Sequence, residues 1–356
     1  MDFGICVMPR PGTCAREAQL AESLGFSHVW IADTQLMAGD AFVCLALIAA
    51  ATSRIKLGTG VAIAGTRIAP VTACALGSLN QIAPGRVVCG IGTGNSARRA
   101  MGMRPYSLGE LREHVEVVRG LLSGGEAEYR EGDVRRTIRF FHQQMGFVNL
   151  HQRVPIYVAA NQPRAMELAG EIGDGFITSR TNSVEGWNES CARVQIGAER
   201  RKRDPADFYT MLLTTAALMR PGETYDSARI RSATGPWTMV ALHSLYEGVT
   251  RIEQAPAPLR SIFAEYKAYM DDRMRGDDRY YLALHDGHSL YVRPEEQRFL
   301  TAELVRHTTM TSTPEELCER IRALERAGVK HIAFIPTPGD FDAFVREFSD
   351  QVIARL

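Results

Sequence analysis

The chain has 356 residues, 45% of them hydrophobic and 23% charged, with a formal net charge of zero. That is enough chain for one large or two ordinary soluble domains, and the balanced charge favours neither nucleic acid nor an anionic membrane as partner. No apolar run is long enough to cross a bilayer, and the N-terminus opens directly into a strand-like segment, so the expectation is a soluble, cytoplasmic protein.

In chain order, strand-like and helix-like segments alternate. FGICVM (3–8) precedes an amphipathic stretch at 14–26, and HVWIAD (28–33) precedes DAFVCLALIAAAT (40–52). IKLGTGVAIAG (55–65) and RVVCGIGTGN (86–95) are strands that end in glycine-rich turns, with an apolar helix at 69–85 between them. A helix over 107–125 stops at a glycine pair. The pattern then resumes with PIYVAA (155–160), a helix at 162–173, GFITS (175–179), a long polar helix at 184–203 and a seventh strand at 208–218. Ser312, Thr313 and Pro314 open a helix that leads to the eighth strand, HIAFIP (331–336), and a closing helix. Eight strands alternating with helices predict an α/β fold, a (β/α)8 TIM barrel, with a doubly wound open sheet as the alternative.

Two segments break the rhythm: 126–153, read as a hairpin around Gly132-Asp133, and 219–306, read as a helical insertion between strand seven and the last βα unit. An insertion at the active end of a barrel commonly forms a lid. The whole of 1–356 is therefore read as one elaborated domain. The seven cysteines, Cys6, Cys14, Cys44, Cys74, Cys89, Cys191 and Cys318, are scattered and never paired as C-x-x-C, so no metal site is predicted.

In parallel α/β proteins ligands sit at the carboxyl ends of strands, and glycine there admits close backbone approach. The blocks GFSHVWIADTQ, SRIKLGTGV, NQIAPGRVVCGIGTGN and PIYVAANQPRAMELAGEIGDGFI resemble the bacterial luciferase-like superfamily of flavin- and F420-dependent oxidoreductases. The resemblance covers nearly all the chain outside 219–306 and implies a (β/α)8 barrel. It also implies that Thr59, Gly60 and Val61 close the third strand at a bulge, often with a cis peptide, that props the cofactor ring. Thr93, Gly94 and Asn95 would meet the ring's pyrimidine edge, which needs both donors and acceptors; the alternative is a helix-capping loop. Asp33, Thr34 and Gln35 would face ring or substrate, or else Asp33 caps its loop. Asn161, Gln162, Pro163 and Arg164 start a helix suited to a phosphate, with Ser179 and Arg180 nearby.

The sequence departs from sugar-oxidising F420 enzymes, which carry Glu at position 95 and His at position 34. Losing that acid–base pair favours, as first reading, a luciferase-like monooxygenase. It would use reduced FMN from a separate flavin reductase and O2 on a small organic substrate, with Asp33, Thr34 and Asn95 at the reacting centre. The alternatives are coenzyme F420-dependent hydride transfer, with Arg98, Arg99 and Arg104 as a basic track for the cofactor's acidic tail, and a catalytically silent flavin-binding subunit. Helices 40–52 and 69–85 are apolar all round and suggest a homodimer face. His114, His243, His285, His288 and His307 read as packing or surface residues.

Overall fold

A computed structural model describes residues 1–249 and 251–356. The strands are β1 (Asp2–Val7), β2 (His28–Ile31), β3 (Lys56–Ile63), β4 (Val87–Gly92), a separate pair β5 (Glu126–Glu131) and β6 (Val134–Arg139), then β7 (Ile156–Ala159), β8 (Gly175–Thr178), β9 (Tyr209–Thr214) and β10 (His331–Phe334). Among them run α1 (Cys14–Ser23), α2 (Ala41–Ala51), α3 (Ala69–Ile82), α4 (Asn95–Arg99), α5 (Leu108–Leu122), α6 (Pro163–Ile172) and α7 (Val184–Arg200). After β9 come α8 (Ala228–Gly248), α9 (Arg260–Arg273), α10 (Tyr280–Leu284) and α11 (Ala302–Thr308), followed by α12 (Pro314–Arg326) and α13 (Phe341–Gln351).

Eight strands close a parallel barrel in the order β1-β10-β9-β8-β7-β4-β3-β2. The (β/α)8 expectation holds and the open sheet is excluded. Short runs such as HVWI and HIAF, buried along their whole length, form these strands because both faces are covered, one by helices and one by the barrel interior. Phe3, Ile5 and Val7 of β1 pack outward in the large shell of apolar residues under the helices. Trp30, Val88, Tyr157, Ile177, Met211 and Ala333 fill the interior. Helix starts follow the sequence: Asp40 accepts from Phe42 and Val43 N–H at α2, and Ser107/Glu110 and Thr313/Glu316 form capping boxes at α5 and α12.

β5 and β6 pair antiparallel around Gly132, whose φ of 57° suits the tight turn. The hairpin and α5 enclose a groove of about 550 Å³ that is also lined by Ala64 and Ile68, just past β3. The seventh strand is shorter than expected: it ends at Thr214, and Leu218 bridges to Ser312, bracketing the insertion at its base. Within the insertion, Leu242, Phe263, Tyr266, Met270 and Phe299 form an apolar cluster of their own.

The amino-terminal end of the barrel is floored by Asp2, His28, Tyr209 and His331, beneath Trp30. Trp30 Nε1 donates to His331 Nε2 at 3.2 Å. The His331 proton therefore sits on Nδ1, which faces the Tyr209 hydroxyl at 3.2 Å, and that hydroxyl donates to Asp2. Burial holds His28 down to about 4 and His331 well below the ordinary imidazole range.

Candidate functional site

The carboxyl-terminal mouth is built first by β3. The β3–β4 register shifts between Thr59 and Ala62, and the Gly60–Val61 peptide is cis, so the expected bulge with a cis peptide is present. Gly60 lies against Trp30, where a Cβ would come within 2.9 Å of Trp30 Cβ. The same indole lies over Gly58. The glycines of LGTG thus serve tryptophan packing in the interior as well as the bend. Val61 faces inward: its methyls line the space beside Gly90 and Gly92.

Thr59 needs a correction. Alternation along β3 turns it toward the helix layer; it is fully buried, and its hydroxyl donates to Gly90 O at 2.7 Å. It buttresses the bulge from behind and has no access to a ligand at the mouth.

After β4, Gly94 has a φ of 79°, and a Cβ there would collide with Ile63 Cγ2, so only glycine fits. This places Thr93, half-buried, and Asn95, exposed, on the rim at the start of α4. Asn95 Oδ1 accepts from Arg99 Nε at 2.9 Å. The amide oxygen is therefore engaged, and the two Nδ2 hydrogens remain for a ligand.

Asp33, after β2, is buried and turned toward β3. It accepts from Ile63 N at 3.4 Å and lies 3.8 Å from Arg67 Nη1. Burial raises its carboxyl above the ordinary range, against the pull of Arg67 and the Ile63 N–H. Thr34 is half-buried, and its carbonyl accepts from Met37 and Ala38 N–H. Gln35 ties the same loop to α4 by donating to Ala97 O at 3.0 Å.

The second half of the site lies across β7 and β8. Asn161 locks the two loops together, donating from Nδ2 to Ser179 Oγ at 2.9 Å and accepting at Oδ1 from Ser179 N and Thr178 Oγ1. Pro163 is the first residue of α6, and the N-cap Gln162 makes no side-chain cap, so the first amides of a ten-residue helix carry no cap. Arg164 and Arg180 are exposed beside that helix end, with Arg180 Nη1 donating to Asn161 O at 3.3 Å. This is a suitable seat for a phosphate.

These residues form one arc, because β8, β7, β4, β3 and β2 are consecutive neighbours in the barrel. From β3 to β7 is two strand spacings, about 10 Å, which suits a ring at the bulge whose phosphate rests on α6. Of the three arginines expected as a basic track, Arg98 donates to Gly65 O and Arg104 O and packs over Tyr106, Arg104 pairs with Glu110, and Arg99 donates to Asn95. Sequence reasoning missed Glu247 of α8. Its side chain is only 3% exposed and sits between Arg99 Nε at 3.8 Å and His285 Nε2 at 3.1 Å. No motif surrounds it, and only the fold brings it to α4.

Residues 1–331 match the family model described as luciferase-like monooxygenase. A 5,10-methylenetetrahydromethanopterin reductase of Methanolobus tindarius is 36% identical over 58% of this chain and 62% of its own length, so the match spans less than two thirds of that relative. An F420-dependent glucose-6-phosphate dehydrogenase of Beutenbergia cavernae is 28% identical over 95% of this chain and 91% of its own. Among solved structures, the coenzyme F420-dependent tetrahydromethanopterin reductase of Methanopyrus kandleri superposes with a TM-score of 0.71 over 99% of both chains at 21% identity, a likeness of fold.

Proposed function

The chain belongs to the luciferase-like monooxygenase family, and from that premise we propose that it is an oxidoreductase that moves hydride between coenzyme F420 and a small organic substrate. The observation that carries this is the pairing of two relatives with different substrates, a pterin reductase and a sugar-phosphate dehydrogenase, where the second is F420-dependent by name. The sugar-phosphate dehydrogenase matches over 95% of this chain, so the F420 in its name is carried here to the whole barrel, and the choice of substrate is left to the insertion. This reading displaces the monooxygenase using reduced FMN and O2 that the sequence put first.

When bound, F420 supplies a two-electron hydride donor or acceptor. The chain's part is placement. The β3 bulge at Gly60–Val61 backs the ring, and Asn95 Nδ2 donates to its edge or to a substrate atom beside it. The amides of α6 with Arg164 hold the phosphate, and Asn161 and Ser179 fix the loops that present them. Of the residues read from the sequence as the reacting centre, Thr34 and Asn95 do not titrate, and Asp33 is committed to Arg67 and Ile63. That suits reduction of an already polarised double bond better than oxidation of an alcohol. Exposed Val43 and Leu47 on α2 and Val71 and Ile82 on α3 support a homodimer through those helices.

Parallel fluorescence titrations with F420 and with reduced FMN test the reading. Micromolar binding of F420 and at least tenfold weaker binding of reduced FMN are expected. Tighter binding of reduced FMN would return the monooxygenase to first place. Binding of F420 without turnover of any imine, alkene or alcohol tried would favour the silent subunit.

A further inference from the structure

Hydride transfer to a polar double bond leaves negative charge on the atom beside the reacting carbon, and a donor aimed there lowers the barrier. On the rim, Asn95 can be that donor only if its amide is held in one orientation. The insertion reaches the group that holds it. Near the start of α8, Thr337 Oγ1, in the loop after β10, donates to Ala233 O at 2.7 Å. Near its end, Glu247 meets Arg99 of α4, which follows β4. β10 and β4 stand four places apart in either direction round the eight-stranded barrel, so α8 runs across a diameter of the mouth.

At the β4 end the contacts form a chain. His285 Nε2 lies 3.1 Å from Glu247 Oε1, Glu247 Oε2 lies 3.8 Å from Arg99 Nε, and Arg99 Nε donates to Asn95 Oδ1 at 2.9 Å. The Glu247 and His285 side chains are each only 3% exposed, and a buried carboxylate stripped of its partners is costly, so the contact holds its members in place. Arg99 occupies one lone pair of the Asn95 amide oxygen and so fixes the orientation of the amide, N–H groups included.

We propose that Glu247 is a positioning residue for the cofactor edge: through Arg99 it fixes the orientation of the Asn95 amide, so docking of the insertion sets what the ring, or the substrate atom beside it, meets. This rests on the reading above that Asn95 borders bound F420. It also gives the insertion a second task beyond covering the substrate, because a shift of α8 is felt at Asn95 through Arg99.

Two measurements on the full chain test it. Without cofactor, the Arg99 Nε–H resonance, assigned with Arg99→Lys, is expected to be slowed in exchange in the wild type and to exchange freely in Glu247→Ala. Unchanged exchange overturns the proposal. With F420, the bound cofactor's visible band and its affinity are measured for Asn95→Ala, Glu247→Ala and the double variant. Each single variant is expected to displace the band alike and weaken binding roughly tenfold, and the double variant is expected to match the singles. A wild-type spectrum for Glu247→Ala, or losses that multiply in the double variant, would mean that Glu247 only supports the insertion. If the wild type takes up no F420, the function reading fails and the Arg99 signal alone decides the relay.

Discussion

The two ends of the barrel use similar residue types for opposite purposes. At the floor, Asp2, Tyr209, His331 and Trp30 spend their hydrogen bonds on one another in a closed interior. At the mouth, Asn95, Gln162 and Arg164 stand exposed, and the amides at the head of α6 have no side-chain cap. A polar group that is buried and satisfied specifies the fold; one that is exposed bonds to water and can exchange that water for a ligand. One atom at the floor departs from this. Ser27 Oγ donates to Phe3 O, so His28 Nδ1–H must donate to Ser27 Oγ, and the Nε2 lone pair of His28 is left buried without a partner among the described residues.

The largest expected effect breaks the floor. Trp30→Ala removes the indole that donates to His331 and fills the space over Gly58 and Gly60. A loss of about 3–5 kcal/mol in urea denaturation is expected. A loss under about 1 kcal/mol would contradict the role given to Trp30.

Next comes acid sensitivity. His28 and His114 are held down to about 4 and His288 to about 3 by burial, with His243 and His331 also low. Their folded values lie below the unfolded value near 6.5, so below that pH the unfolded chain binds more protons. The stability they contribute is present above about pH 6.5 and is lost as pH falls toward their folded values. Urea denaturation at stepped pH is expected to show a decline of at least about 2 kcal/mol, the contribution of one such imidazole, between about 6.5 and 4. A flat profile would contradict the buried neutral imidazoles.

The mouth gives the converse result. Arg164→Ala is expected to weaken F420 binding roughly tenfold while shifting stability by no more than about 0.5 kcal/mol. Calorimetric titration and thermal denaturation of the same preparation separate the two. A large stability loss with unchanged affinity would assign Arg164 to the fold instead.

Gly60 joins the two regions. Gly60→Val would alter the bend on which the ring is proposed to rest, but its Cβ also meets Trp30. The variant is therefore expected to lose stability and cofactor affinity together, and it is a poor probe of either alone.

The barrel was legible because its strands are short apolar runs punctuated by Gly and Pro, and because Thr313-Pro314 and Gln162-Pro163 mark helix starts plainly. The seventh strand was overread because Ala216, Ala217 and Leu218 are as apolar as a strand; they are buried at the base of the insertion instead. The bend at Gly60–Val61 was legible by resemblance, whereas Thr59 was misplaced because a one-residue step along a strand reverses the face. For Arg98, Arg99 and Arg104 the sequence shows the charge but not the carbonyls, the Asn95 amide and the Glu110 carboxylate that fix where each guanidinium points. Glu247 was invisible for a different reason: 148 positions separate it from Arg99 (247 − 99), and only the crossing of α8 over the mouth brings them together.

The central claim is that F420 lies along the arc from β3 to α6. A crystal structure of the F420 complex tests it most directly. The account predicts the ring against Gly60–Val61 and the phosphate bonded to the first amides of α6 beside Arg164. F420 bound instead in the groove between α5 and the β5–β6 hairpin, or at the mouth with its phosphate away from α6, would contradict it.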